Sequence, residues 1–333
     1  MRRKDFLSMF PGLAALPAIP PEAASRLKNP PFLQPGDIIG FTSPAGYITL
    51  EEVEPARMQI ESWGFLVRMG STIGRRDCTF GGTDEERRRD LQEMINDPSV
   101  SAIMCARGGY GVNRILDLLD LKPLKKHPKW IIGFSDITAL HLHVYRQAHI
   151  ASIHSKMCNS FPADWEKAEP IQQETILSIR TLLEGKPMAY SVLPDVNNRL
   201  GEADGPLLGG NLAIIASMMG TASEIKTEGA ILFLEEVGEY PYSVDRMLTT
   251  LQRAGKLSKL KGLIIGGFRM KPEEAGDAFG RDLYDIVLSK VGGYAYPVCF
   301  GFPVGHQKPN YALACGRMHR LTVMPEGVVL RQQ

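Results

Sequence analysis

From residue 35 onward, short apolar runs alternate with longer stretches in which apolar and polar positions mix. Residues 38–41, 65–69, 101–106 and 130–134 are such runs. Their length and apolar content suit strands covered on both faces. Between them, residues 50–63, 84–96, 112–119 and the segment beginning at Ile137 read as helices. In the last of these the apolar residues Leu140, Leu142, Val144 and Tyr145 fall close to helical spacing. Thr83 or Asp84 makes an N-cap for the second. Strands and helices alternating in this way predict a doubly wound, parallel α/β sheet. Ligands bind such sheets beyond the carboxyl ends of the strands.

Past residue 150 the pattern changes. Residues 150–165 read as a strand end and a loop, 169–184 as a helix closed by Gly185, and 187–198 as a crossover. A second α/β unit opens at Gly205-Pro206-Leu207-Leu208-Gly209-Gly210-Asn211-Leu212. A helix at 212–219, a strand at 230–234, a helix at 242–254 and a strand at 262–268 follow. A helix at 282–291, a strand at 298–302 and final strands within 311–330 complete it. The expected division is 35–165, 166–200 and 201–333, with residues 1–30 outside the fold.

Charge and composition narrow the field. The formal net charge is +1 over 333 residues. That offers no global electrostatic case for nucleic acid or an anionic membrane. No apolar run approaches the length of a membrane span. Of the five cysteines, Cys105, Cys299 and Cys315 lie in or beside apolar runs and read as small buried residues. No CxxC or His/Cys cluster suggests a zinc site. The N-terminus is basic through Arg2, Arg3 and Lys4, mildly apolar over 6–19, and then small at Ala23, Ala24 and Ser25. This is the layout of an export signal. Arg3-Lys4-Asp5-Phe6-Leu7 resembles a twin-arginine signal with lysine as its second basic residue, which points to the periplasm. The alternative is a disordered tail on a cytoplasmic protein.

The candidate chemistry gathers at strand ends. Residues 130–134 turn sharply into a helix, and Gly133 permits the bend. Ser135 sits at that corner, in a setting like the nucleophile elbow of serine hydrolases. Ser135 or Asp136 could equally cap the helix. Arg107-Gly108-Gly109-Tyr110-Gly111 follows another strand, and its glycines let backbone N–H groups approach a substrate oxygen. An oxyanion hole needs two such donors. The amides of Gly109 and Asp136 are the candidates. A serine nucleophile needs a base, and the base an orienting carboxylate. His306 follows a strand end in a Gly- and Pro-rich loop. Glu235 is the first charged residue after the apolar run 230–234, although spacing alone does not separate it from Glu236.

Together these stretches resemble the serine LD-carboxypeptidase family, which includes muramoyltetrapeptide carboxypeptidases and microcin-immunity peptidases. The matching segments are Phe80-Gly81-Gly82-Thr83-Asp84-Glu85-Glu86-Arg87, Cys105-Ala106-Arg107-Gly108-Gly109-Tyr110-Gly111 and Gly133-Phe134-Ser135-Asp136-Ile137-Thr138. They continue with Gly209-Gly210-Asn211-Leu212, Leu234-Glu235-Glu236-Val237-Gly238-Glu239, Asp245-Arg246-Met247-Leu248 and Gly305-His306. The resemblance covers about residues 35 to 325. It implies a flavodoxin-like, class I glutamine amidotransferase-like N-terminal domain and a smaller C-terminal domain of the swivelling α/β type. It implies a triad of Ser135, Glu235 and His306, backbone oxyanion donors at Gly109 and Asp136, no metal or cofactor, and a homodimer. The implied substrate is a murein tetrapeptide, cut between its diamino acid and terminal D-alanine. Arg107, Tyr110 and Lys156 are candidates for binding it. His154-Ser155-Lys156-Met157 stands where the family often has His-Gly-Pro-Met. Two alternatives accompany this reading. One is hydrolysis of an aminoacyl-nucleotide amide, with Trp165 stacking the base. The other is a non-catalytic murein-peptide binder.

Overall fold

The computed structural model describes residues 27–333, apart from 274, 275 and 277. The export-signal reading rests on residues before 27, outside this range, but the fold begins earlier than residue 35: Lys28 bridges Ile150, and its backbone N–H donates to the His149 carbonyl at 2.7 Å. The first apolar runs become β1 (Ile38–Thr42), β2 (Leu66–Met69), β3 (Val100–Cys105) and β4 (Trp130–Gly133), and a short β5 (Ser152–His154) follows. Helices α1 (Leu50–Ser62), α2 (Asp84–Asn96), α3 (Lys122–Lys126) and α4 (Thr138–Ala148) lie between them. Reciprocal capping boxes start two of these helices, Thr49 with Glu52 for α1 and Thr83 with Glu86 for α2, each satisfying two otherwise orphaned amides. Residues 112–119 do not form the expected helix but two single 3₁₀ turns, Val112–Arg114 and Leu116–Leu118. Tertiary contacts override the helical spacing there. The Val112 amide is held by the Asp136 carboxylate and the Arg114 guanidinium by Asp84.

The remainder comprises α5 (Pro170–Leu183), β6 (Ala189–Val192), β7 (Gly201–Asn211), α6 (Leu212–Ser217), β8 (Ile231–Val237), α7 (Pro241–Arg253), β9 (Gly262–Arg269), α8 (Leu283–Val291), β10 (Val298–Cys299), β11 (Leu313–Cys315), β12 (Met318–Met324) and β13 (Gly327–Gln332). Two sheets result, in the orders β11-β5-β4-β3-β1-β2 and β10-β9-β8-β7-β12-β13-β6. In the first, β1 to β5 are all parallel, and β11 closes the edge antiparallel to β5. In the second, β7 to β10 are parallel, while β12, β13 and β6 add antiparallel strands. The mixed α/β architecture is thus built on two sheets. The glycine-rich opening at residue 205 is the middle of the 11-residue strand β7, and the crossover contains β6.

Helices α1 and α5 cover one face of the first sheet, burying Val53, Ile60, Ile176 and Ile179 against Ile39, Met104 and Ile132. The other face packs on α2 and α4. That core runs on without a break into α6, α7 and α8 of the second half, through Leu140, Leu212, Leu248 and Ile286. Such burial, at roughly 25 cal/mol per Å² of apolar surface, is the dominant force holding the two halves in register. Cys105, Cys158, Cys299 and Cys315 are buried free thiols, and Cys78 is exposed.

Candidate active site

Strand β4 delivers Ser135 to the carboxyl edge of the first sheet. The serine has φ of 63°, a left-handed conformation that costs a non-glycine residue about 1–2 kcal/mol. A single 3₁₀ turn, Ser135–Ile137, leads from it into α4. The strained corner lifts the hydroxyl off the sheet, and the approach of neighbouring backbone is close. A methyl group built on Gly108 would lie 3.0 Å from Ser135 Cβ and 3.3 Å from its Oγ. Only glycine fits at 108 without pushing the serine aside.

His306 reaches this corner from the second half of the chain. Its Nε2 lies 3.1 Å from Ser135 Oγ. Its Nδ1 lies 2.6 Å from Glu235 Oε2. The backbone N–H of His306 donates to the same carboxylate oxygen at 3.2 Å. A carboxylate can only accept, so the Nδ1–H is donated to Glu235, and Nε2 is the ring nitrogen that faces Ser135 Oγ. Glu235 is wholly buried near the end of β8. Gly305 makes the approach possible: with φ of 104°, a methyl group there would come within 2.5 Å of Glu235 Cβ. The Phe134 ring packs 4.8 Å from the His306 ring. Behind it His154 stands edge-on to both Phe134 and Phe233. Burial holds His154 well below the usual imidazole range, so it is a neutral packing group.

Glu236 turns the other way. It accepts from Asn211 Nδ2 at 3.0 Å, from the Ala213 amide at 2.7 Å and from the Val237 amide at 2.8 Å. It thereby ties β8 to the start of α6. Burial raises its pKa. The geometry therefore separates two carboxylates that are adjacent in sequence, because successive strand residues face opposite sides.

The loop after β3 borders the serine. Val112 N–H donates to Asp136 Oδ2 at 2.9 Å. The buried Arg87 donates to the Gly111 carbonyl at 2.9 Å. Asp136 thus grips, through its side chain, the loop that carries Gly109, while its own amide lies beside Ser135. Burial pushes its carboxyl up to about 6.

A cavity of about 540 Å³ opens next to His306, lined among others by Phe134, Lys156, Arg269 and Gln307. Lys156 Nζ donates to the Gln307 carbonyl at 2.8 Å and lies 5.8 Å from the centre of the Phe134 ring. Burial lowers its pKa. Arg107 and Tyr110 are outside the lining of this cavity. Arg107 pairs with Glu52 at 3.3 Å and lies over Tyr47. Tyr110 is exposed against Phe80. Trp165 faces a separate hollow beside α1. Sequence reasoning did not single out Arg269, a charged residue after a strand like many others, nor Arg87, one of three consecutive arginines.

Residues 39–155 match the model of the LD-carboxypeptidase N-terminal domain, and residues 204–321 that of the LD-carboxypeptidase C-terminal domain. A Bacillus subtilis protein named probable murein peptide carboxypeptidase is 32% identical, over 86% of this chain and 89% of its own. The microcin C7 self-immunity protein of Escherichia coli is 26% identical, over 84% of this chain and 89% of its own. The crystal structure of a muramoyltetrapeptide carboxypeptidase from Oxalobacter formigenes superposes with a TM-score of 0.79 at 28% identity, covering 89% of this chain and 98% of that one. With both domain models matched in order, and with relatives aligned along most of their length, the chain belongs to the LD-carboxypeptidase family of peptidases.

Proposed function

We propose that this protein is a serine-type LD-carboxypeptidase that removes the terminal D-alanine from murein tetrapeptides. The observation that carries the reading is the relay from Ser135 Oγ through His306 to Glu235, at 3.1 Å and 2.6 Å. His306 Nε2 takes the serine proton as Oγ attacks the scissile carbonyl. Glu235 keeps the imidazole in the right tautomer and stabilises the imidazolium that forms. The amides of Gly109 and Asp136 receive the developing oxyanion. His306 then returns the proton to the leaving D-alanine nitrogen, and water, activated by the same imidazole, releases the acyl group. The strand order β2-β1-β3-β4-β5 supports a flavodoxin-like nucleophile domain, followed by a swivelling-type domain that carries Glu235 and His306.

The test is mass spectrometry of a murein tetrapeptide incubated with the protein, wild type beside Ser135→Ala. Loss of one alanine with the wild type alone is expected, with the variant at least 10³-fold slower. An uncut tetrapeptide would overturn the reading. The similarity to a microcin self-immunity protein gives a second reading, hydrolysis of an aminoacyl-nucleotide amide. Cleavage of that substrate alone would establish it. The place of Trp165, outside the cavity beside His306, favours the peptide.

A further inference from the structure

The cavity beside His306 is lined by three cationic side chains besides the histidine, Lys156, Arg269 and Lys308, and by no carboxylate among the described residues. Two of the three are already engaged. Lys156 donates to the Gln307 carbonyl, and Lys308 pairs with Glu169 at 2.6 Å. Arg269 has no carboxylate partner among the described residues. It ends β9, and β9 is the strand that holds the histidine loop: Gly267 N–H donates to the Val304 carbonyl at 2.8 Å. A side chain at Gly267 would point at Gln307, its Cβ 2.8 Å from Gln307 Cδ. Arg269 itself lines the cavity, together with His306 and Gln307 of that loop.

A guanidinium fork with no carboxylate partner among the described residues suits, in such a place, a substrate carboxylate, which it can hold with two parallel hydrogen bonds. Resting on the peptidase reading above, we infer that Arg269 is a specificity-determining residue that binds a carboxylate of the substrate. That carboxylate is either the terminal one, a single residue beyond the scissile amide, or the second one of a diaminopimelate side chain. Arg107, which the sequence suggested for this role, is committed to Glu52.

The test uses the full chain carrying Ser135→Ala, so that binding is measured without turnover. Calorimetry compares this parent with versions also carrying Arg269→Ala or Arg269→Lys. The three ligands are the diaminopimelate tetrapeptide, its C-terminal amide, and the tetrapeptide with lysine in place of diaminopimelate. The parent is expected to prefer the first ligand over one of the analogues. Arg269→Ala should weaken binding of the first ligand by roughly 10- to 100-fold and leave that analogue unchanged, and Arg269→Lys should keep part of the preference. Loss of preference over the amide identifies the terminal carboxylate, and over the lysine peptide the side-chain one. Equal weakening of all three ligands, no weakening of any, or a parent without preference would each overturn the inference. Turnover by the wild type is scored separately. An uncut tetrapeptide that still binds through Arg269 removes the peptidase reading and leaves this one standing.

Discussion

At the scale of single residues, the site turns on which of two neighbouring carboxylates meets the histidine. Glu235 accepts from His306, whereas Glu236 accepts from Asn211 and two backbone amides. Glu235→Gln leaves the packing in place but supports the wrong imidazole tautomer, so kcat should fall by about 10³- to 10⁴-fold with little change in melting temperature. Glu236→Gln should do the reverse, losing about 1–2 kcal/mol of stability while kcat stays within a few-fold. Kinetics and thermal melts on both variants decide the assignment, and an equal effect on kcat would undo it. Ser135 and His306 were legible in the sequence because each lies where an apolar run gives way to a turn. The choice between Glu235 and Glu236 was not, since it depends on which face of β8 meets the loop after β10. Arg269 was illegible for a similar reason. It shares a cavity with Gln307, which lies 38 positions further along the chain.

At the scale of elements, the elbow and the glycine loop act as one unit, because the Asp136 carboxyl anchors the Val112 amide. This couples the placement of Gly109 to that of Ser135, and it gives the unit a pH signature. The folded Asp136 carboxyl is pushed by burial up to about 6, against about 3.9 in an unfolded chain. Between about pH 4 and pH 6 the folded protein therefore holds more protons here than the unfolded one. The stabilisation is fully present below about pH 4 and is lost as pH rises through 6. Asparagine keeps an oxygen for the Val112 amide and does not titrate. The melting-temperature difference between wild type and Asp136→Asn should thus favour the wild type most at pH 4 and shrink toward pH 7. A difference independent of pH would show that the carboxyl is not displaced. The elements themselves were legible where apolar runs are short and where Thr83 offers a cap for α2, whereas the Thr49 cap of α1 emerged only from the structure. The 3₁₀ turns at 112–118 were not, because side chains from α2 and from the elbow hold that segment. Strand β7 was masked by its glycines, although partners on both sides pair along it.

At the scale of the whole molecule, the hydrogen-bonded relay of Ser135, His306 and Glu235 is divided between the two halves, and so is the packing that supports it. Ser135 comes from the first sheet, and Glu235 and His306 come from the second half. Strand β11 then returns from residue 313 to pair with β5, setting Leu313 against His154. No sequence pattern announces a three-residue strand that closes a sheet completed about 160 positions earlier. The Asn211 amide also donates to Thr138 Oγ1 at 3.0 Å, joining the end of β7 to the start of α4. The first half alone would therefore leave the edge of β5 unpaired and the α4 face of the shared core exposed, a recipe for aggregation. The segment between β6 and β7 is different, since Leu193 and Val196 are 84% and 99% exposed and carry none of this packing. A single cut there should leave the two fragments associated, eluting as one species in gel filtration and retaining most of the peptidase activity. The same fragments expressed apart should be inactive and regain activity when refolded together. Activity in either fragment alone would show that the relay is not shared, and dissociation after the cut would show that β11 and the common core do not hold the halves together.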